Sequence, residues 1–238
     1  MSEEILGYIN EYFDLNGIKA DEGKLKMLAD YLSILLEVNS QFNLTAIRDE
    51  REAALKHITD CALIKDLPLA GTLLDVGSGG GLPSVPLAIL RPELAVTALD
   101  STGKKVTFLS DTAKKLGLRN FTAVCGRAEE LSRTKMRDSF DNVTARAVAN
   151  MTLLSELCLP FVRKGGMFIA MKSRTGRDET ASAKGAIVQL GGKIMEIKDY
   201  TLKGEEEGQT RTIITVAKIA HTPDAFPRTY ARMIKKPL

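Results

Sequence analysis

Thr72-Leu73-Leu74-Asp75-Val76-Gly77-Ser78-Gly79-Gly80-Gly81-Leu82-Pro83-Ser84-Val85-Pro86 is the stretch around which the chain is organised. Thr72, Leu73, Leu74 and Val76 form a short apolar run interrupted by Asp75, as expected of a buried parallel strand whose last residues face a ligand. Four glycines follow within five positions, Gly77, Gly79, Gly80 and Gly81. Glycine permits positive φ and lets the backbone approach a ligand without a Cβ in between. Pro83 suits the first turn of a helix, where its missing N–H is no loss. Strand, glycine turn and helix in this order place a ligand at the carboxyl edge of an open α/β sheet. The plainer alternative is a tight turn without a ligand, although glycines this dense exceed what a turn needs.

Three ligand classes use such a loop. A phosphate-binding P-loop ends in Gly-Lys-Ser/Thr, whereas Gly81 is followed by Leu82 and Pro83. A dinucleotide fingerprint needs a third glycine where Leu82 stands. S-adenosylmethionine remains. An acidic residue just before the glycines, here Asp75, suits a ligand bearing an ammonium and a sulfonium better than one bearing a pyrophosphate.

Composition narrows the rest. The 238 residues suffice for one well-cored α/β domain with an appendage. No apolar run approaches membrane-spanning length and the start lacks a signal-peptide pattern, so a cytoplasmic protein is expected. Cys61, Cys125 and Cys158 are isolated in sequence, and His57 and His221 are the two histidines; neither set reads as a metal site. The net charge is only +3, so a nucleic-acid face would come from local clustering rather than overall charge. The absence of tryptophan argues against an aromatic platform for single strands.

Helical spacing marks residues 3–15 and a second helix from about Asp21 to Asn39, before a mixed loop, Ser40 to Arg48. Asp49 and Glu52 begin a helix reaching Ile64, in which His57 reads as a packed histidine. After the glycine loop a helix closes at Pro92, and a strand from Ala95 ends in Asp100. An acidic residue about 20 positions past the glycines is placed to accept ribose hydroxyls, with helix capping as its bland alternative. A helix to Leu116, a strand Phe121–Cys125, a strand Phe140–Ala145 ending in Arg146, a helix from Asn150 to about Val162, a Gly165-Gly166 turn and a strand Met167–Met171 ending in Lys172 follow. A polar helix (177–190) leads to an antiparallel pair, Lys193–Tyr200 and Thr212–Ile219, around a charged loop at 204–209. Alternating strands and helices predict a parallel sheet with crossover helices. The expected division is a helical extension (1–48), a sheet domain (49–220) and a basic tail (221–238) that is poorly structured until it docks.

These segments resemble the RsmG family, also called GidB: L-L-D-V-G-S-G-G-G-L-P-S-V-P-L-A, L-D-S-T-G-K-K-V-T-F-L, R-A-E-E, T-A-R-A-V-A, and N-L-T-A-I-R with H-I-T-D upstream. The resemblance is strong over residues 38–175 and weak at the ends. It implies a class I (Rossmann-like) S-adenosylmethionine-dependent methyltransferase that modifies ring nitrogen 7 of a guanine in the decoding region of 16S ribosomal RNA, free or in a small-subunit precursor. It implies cofactor contacts at Gly77, Leu82, Ala128, Glu129 and Arg146, with Asp100 at the ribose, beside Asp75 and Gly79 from the loop itself. Lys105 stands where some relatives carry arginine. A monomer is expected. A methyltransferase acting on a small molecule, a protein or another RNA and a non-catalytic nucleotide-binding module are the alternatives.

The segment at the end of the fourth strand, Thr144 to Ala149, lacks the Asn/Asp-Pro-Pro-aromatic motif that positions an exocyclic amine and lacks a cysteine for attack on a pyrimidine carbon. A purine ring nitrogen carries its own in-plane lone pair, so orientation replaces proton removal. Arg146 and Lys172 are the candidate catalytic residues, gripping the guanine edge or RNA phosphates, with a structural ion pair as the alternative for each. Arg174, Arg177, Arg228, Arg232, Lys235 and Lys236 complete the candidate RNA surface.

Overall fold

The computed structural model describes residues 2–204 and 209–238, so the middle of the charged loop lies outside the described residues. Helices α1 (Ser2–Leu15) and α2 (Glu22–Asn39) come first, the second capped by Asp21, whose carboxylate accepts from Lys24 N–H at 2.9 Å. Asp49 caps the next helical segment in the same way, through Glu52 N–H at 2.8 Å. That segment is not a uniform α-helix. It runs as α3 (Glu50–Ala53), a π-helical turn (Ala54–Thr59) and α4 (Asp60–Ala62). A π turn shifts the register of the side chains that follow and recurs at functional sites.

The sheet and its crossovers follow as β1 (Thr72–Val76), α5 (Ser84–Leu90), β2 (Ala95–Asp100), α6 (Gly103–Lys115), β3 (Phe121–Cys125), α7 (Ala128–Leu131), β4 (Phe140–Arg146), α8 (Met151–Cys158), β5 (Val162–Ser173), α9 (Gly176–Gln189), β6 (Gly192–Leu202), β7 (Gln209–Lys218) and α10 (Tyr230–Lys235). Spatial order is β3-β2-β1-β4-β5-β7-β6. The first five strands in this order are parallel; β7 is antiparallel to both β5 and β6. Strand order reverses between β1 and β4, where an open α/β sheet leaves a crevice at its carboxyl edge.

Two apolar layers cover the sheet. On one face Ile9, Phe13, Leu28, Leu32 and Leu35 of α1 and α2 pack with Ile58, Val85 and Ile89, so the N-terminal helices share a core with α5. On the other, α8 and α9 pack through Leu154, Leu157, Ala183 and Ile187. Each fully buried Leu, Ile, Val or Phe side chain among these contributes about 1.5–3 kcal/mol.

Three expectations need correction. The helix that begins after Asn150 ends at Cys158, because Pro160 cannot donate an N–H and the chain tightens into a 3₁₀ turn over Leu159–Phe161. The Gly165-Gly166 turn lies inside a strand and not before it: β5 begins at Val162, paired with Phe140, and its pairing resumes at Met167 opposite Asn142, so residues 163–166 bulge out with Gly165 at φ +85°. The tail is not loosely held. Phe226 and Met233 are buried with α8, Arg133 and Arg137 donate to the carbonyls of Pro227, Phe226 and Thr222, and Arg228 pairs with buried Glu156.

Candidate active site

Asp75, next to the last residue of β1, is fully buried, and burial pushes its carboxyl up to about 7. Its Oδ2 accepts from Ser84 N–H, at the start of α5, at 3.2 Å. Its Oδ1 is buried with no hydrogen-bond partner among the described residues. A carboxylate oxygen left so is costly unless something donates to it.

The glycine loop that follows is braced from behind: Tyr31 Oη donates to Gly80 O at 2.8 Å, and Leu44 lies against Gly80. Gly79 has φ +57°, and a Cβ built on it would meet nothing nearer than a backbone oxygen at 4.0 Å, so its missing side chain opens onto free space. Its N–H donates to Asp100 Oδ2 at 2.9 Å, while Asp100 Oδ1 accepts from Thr102 N–H at 2.8 Å. Asp100 therefore ties the loop to the start of α6, and each oxygen keeps a lone pair for a further donor. Leu82 turns its side chain into the core and can offer a ligand only backbone. Gly126 N–H donates to Asp100 O at 3.0 Å, which brings the loop after β3 beside it. There Ala128 and Glu129 open the short helix α7, and the Glu129 carboxylate is held by Arg127 Nε at 2.8 Å.

Beside this cradle lies a pocket of about 430 Å³ at the carboxyl ends of β4 and β5. Its wall begins with Thr45 to Ile47, next to the Leu44 that packs on the glycine loop, and includes Arg146, Lys172 and Arg211. Val148, just past β4, faces Gly77 so closely that a Cβ there would come within 2.8 Å of it. Ala147, which links Val148 to Arg146, has φ +55°, strained for a residue with a side chain.

Arg146 does not project freely. Its Nη1 donates to Lys56 O and to Asp60 Oδ2, each at 3.0 Å, and its Nη2 lies 3.5 Å from His57 Nδ1. Asp60 Oδ1 accepts from Arg211 Nε at 3.1 Å. Lys172 bonds to Glu179 Oε2 and Ala149 O, both at 2.7 Å. Of the other cations singled out in the sequence, Arg177 pairs with Asp199 at 2.5 Å and Arg228 with Glu156 at 2.6 Å. Arg174, Arg232, Lys235 and Lys236 are exposed.

His57 sits inside this network, its Nε2 2.6 Å from Thr45 Oγ1. Burial, with Arg146 beside it, lowers its pKa from 6.5 to about 4. The unfolded chain therefore binds the His57 proton first, and stability falls as pH drops from 6.5 towards 4. The contribution at stake is about 3 kcal/mol. Urea titrations across this range are expected to show that loss in the parent protein and a shallower one in His57→Asn.

Tyr31, Thr45, Asp60 and Arg211 carry no individual signal in the sequence. The N-L-T and H-I-T-D segments contain two of them, but only the fold shows their partners. Asp100→Ala, by contrast, tests a residue expected from sequence. Loss of its charge-assisted bonds is expected to weaken adenosylmethionine binding by about 1–3 kcal/mol in calorimetry. Unchanged affinity in a folded variant would remove Asp100 from the cradle.

A family model described as GidB, rRNA small subunit methyltransferase G, matches residues 24–209. The chain belongs to this family. A Lactobacillus helveticus protein named ribosomal RNA small subunit methyltransferase G is 45% identical, covering 87% of this chain and 88% of its own length. Relatives of the same name from Lactobacillus acidophilus and Clostridium perfringens are 42% and 39% identical, over 99% and 96% of this chain and 98% and 99% of their own lengths. Among solved structures, M. jannaschii TYW2 in complex with AdoMet superposes with TM-score 0.54 at 15% identity, covering 68% of this chain and 76% of its own. The [4+2]-cyclase SpnF gives 0.55 at 18% identity over 80% and 93%. The fold is that of class I methyltransferases, Rossmann-like, with helices added at the N-terminus. Among the described residues no helix is long and apolar enough to cross a membrane.

Proposed function

We propose that this chain transfers a methyl group from S-adenosylmethionine to ring nitrogen 7 of a guanine in small-subunit (16S) ribosomal RNA, in the cytoplasm. The observation that carries the reading is the junction, at one sheet edge, of the Asp75–Gly79–Asp100 cradle with the pocket walled by Arg146, in a chain whose full-length relatives bear the rRNA methyltransferase name.

The residues fit the cofactor. The unsatisfied Oδ1 of Asp75 suits an ammonium donor, the free acceptor positions of Asp100 suit two ribose hydroxyls, and the open space at Gly79 admits the ligand against backbone. When bound, the cofactor supplies an electrophilic methyl carbon on a positively charged sulfur. The chain's own task is to orient the acceptor and exclude water. Guanine N7 needs no proton removed, which agrees with a pocket whose one histidine, His57, is neutral and engaged with Thr45.

A consequence concerns Asp75. A carboxyl raised to about 7 by burial is partly protonated near neutrality, and an ammonium placed beside it favours the ionised form. Cofactor binding is therefore expected to release a fraction of a proton near neutral pH. Calorimetry in buffers of differing ionisation enthalpy measures this directly, and Asp75→Asn should show no such release.

Mapping methylated bases in ribosomal RNA from cells with and without the protein tests the whole reading. Loss of one 7-methylguanosine from the small-subunit RNA is expected. An unchanged small-subunit pattern would overturn it.

A further inference from the structure

Asp60 is the one carboxylate among the described residues that line the pocket beside the cradle, against Lys56, Arg146, Lys172 and Arg211. It stands directly after the π-helical turn. Arg146 holds one of its oxygens from β4 at 3.0 Å, and Arg211 holds the other from β7 at 3.1 Å. The carboxylate plane is thus fixed from two strands. Each oxygen has two acceptor positions and these arginine bonds use one apiece.

We infer that Asp60 reads the target base, accepting hydrogen bonds from the N1–H and exocyclic N2–H of the guanine, while Arg146 and Arg211 position it. The inference rests on the function proposed above and adds the source of base specificity. Guanine presents those two donors side by side, the pair a carboxylate matches. Adenine presents an acceptor at N1, so its lone pair would face those of the carboxylate, a mismatch that buried sites punish strongly. With the Watson–Crick edge turned to Asp60, the opposite, N7 side of the purine is left to face the cradle.

The same contact helps the chemistry. A purine that gains a methyl at N7 becomes cationic, and its N1–H becomes a stronger donor. A hydrogen bond to a fixed carboxylate therefore strengthens as the reaction proceeds, which is stabilisation specific to the transition state. No proton needs to leave for the atoms to balance: the N7 lone pair forms the new bond and the carbon–sulfur pair returns to sulfur. The competing account makes Asp60 a strut that ties the π-helical turn to the sheet, with no contact to RNA.

The two accounts separate when a change in the substrate is combined with a change at Asp60. Small-subunit particles are assembled with inosine, which lacks the exocyclic amine, in place of the methylated guanosine. Asp60 as the base reader predicts a fall in kcat/KM of about tenfold or more. In a folded Asp60→Asn variant the guanosine-to-inosine ratio is expected to fall towards one, while adenosylmethionine affinity is kept. Equal rates on guanosine and inosine with the parent protein, or a ratio that survives Asp60→Asn, would overturn the inference. Should Asp60→Asn fail to fold, equal rates on guanosine and inosine with the parent protein still overturn the inference. Failure to methylate the guanosine particle at all would instead overturn the proposed function.

Discussion

Gly79→Val is expected to abolish adenosylmethionine binding while the thermal transition stays cooperative. The backbone at Gly79 has φ +57°, where a residue with a Cβ costs about 1–2 kcal/mol. That is a local penalty, small enough for the fold to survive. Among the described residues no atom stands in the way, since the nearest neighbour of a built Cβ is Gly77 O at 4.0 Å. The new side chain therefore points into the cradle and not into the core. A branched side chain there also disturbs the Gly79 N–H that donates to Asp100 at 2.9 Å, so both halves of the cradle suffer together. The expected affinity loss is at least about a hundredfold, or roughly 3 kcal/mol. Gly79→Ala carries the backbone cost with less intrusion and should lie between. Calorimetry beside thermal denaturation separates the cases, and normal affinity in folded Gly79→Val would place the cofactor elsewhere.

Much of this cradle was legible in the sequence because its determinants are local. Asp75, the glycines and Asp100 are spaced by one strand, one turn and one helix, and periodicity alone places both acids at strand ends. The pocket was less legible. Asp60 meets Arg146 across 86 positions and Arg211 across 151, and no local pattern encodes such pairings. Arg146 was identifiable as a charge at a strand end, but its direction depends on the π-helical turn, which carries no distinct sequence signal. Lys172 shows the same limit at short range. Glu179 stands seven positions on, and only the entry of β5 into α9 brings its carboxylate to 2.7 Å from the Lys172 ammonium. The tail misled for a related reason. Its prolines and basic residues resemble those of a loose segment, and the acid that anchors it lies 72 positions upstream.

Glu156→Ala is accordingly expected to cost about 3–5 kcal/mol, the usual loss when one partner of a buried pair is removed. Glu156 is 1% exposed, in the middle of α8. Arg228 gives it three bonds: the backbone N–H and Nε to Oε1, both at 2.8 Å, and Nη2 to Oε2 at 2.6 Å. Arg228 Nη1 also donates to Lys236 O at 2.8 Å, closing the tail on itself. Without Glu156 the partly buried guanidinium has no carboxylate partner among the described residues, and the anchor of α10 goes with it. Urea denaturation should report the stability loss, and limited proteolysis should report faster cleavage near residues 221–238. The same anchoring changes how RNA binding by the tail is tested. Deleting residues 224–238 would strip Phe226 and Met233 from the core and confound binding with folding. Charge reversal at exposed Arg232, Lys235 and Lys236 leaves that core intact. Each phosphate that such a change leaves unneutralised should flatten the salt slope by about 0.7–0.9. If Glu156→Ala costs less than about 1 kcal/mol, the apolar packing of Phe226 and Met233 holds the tail, and Arg228 is available to RNA after all.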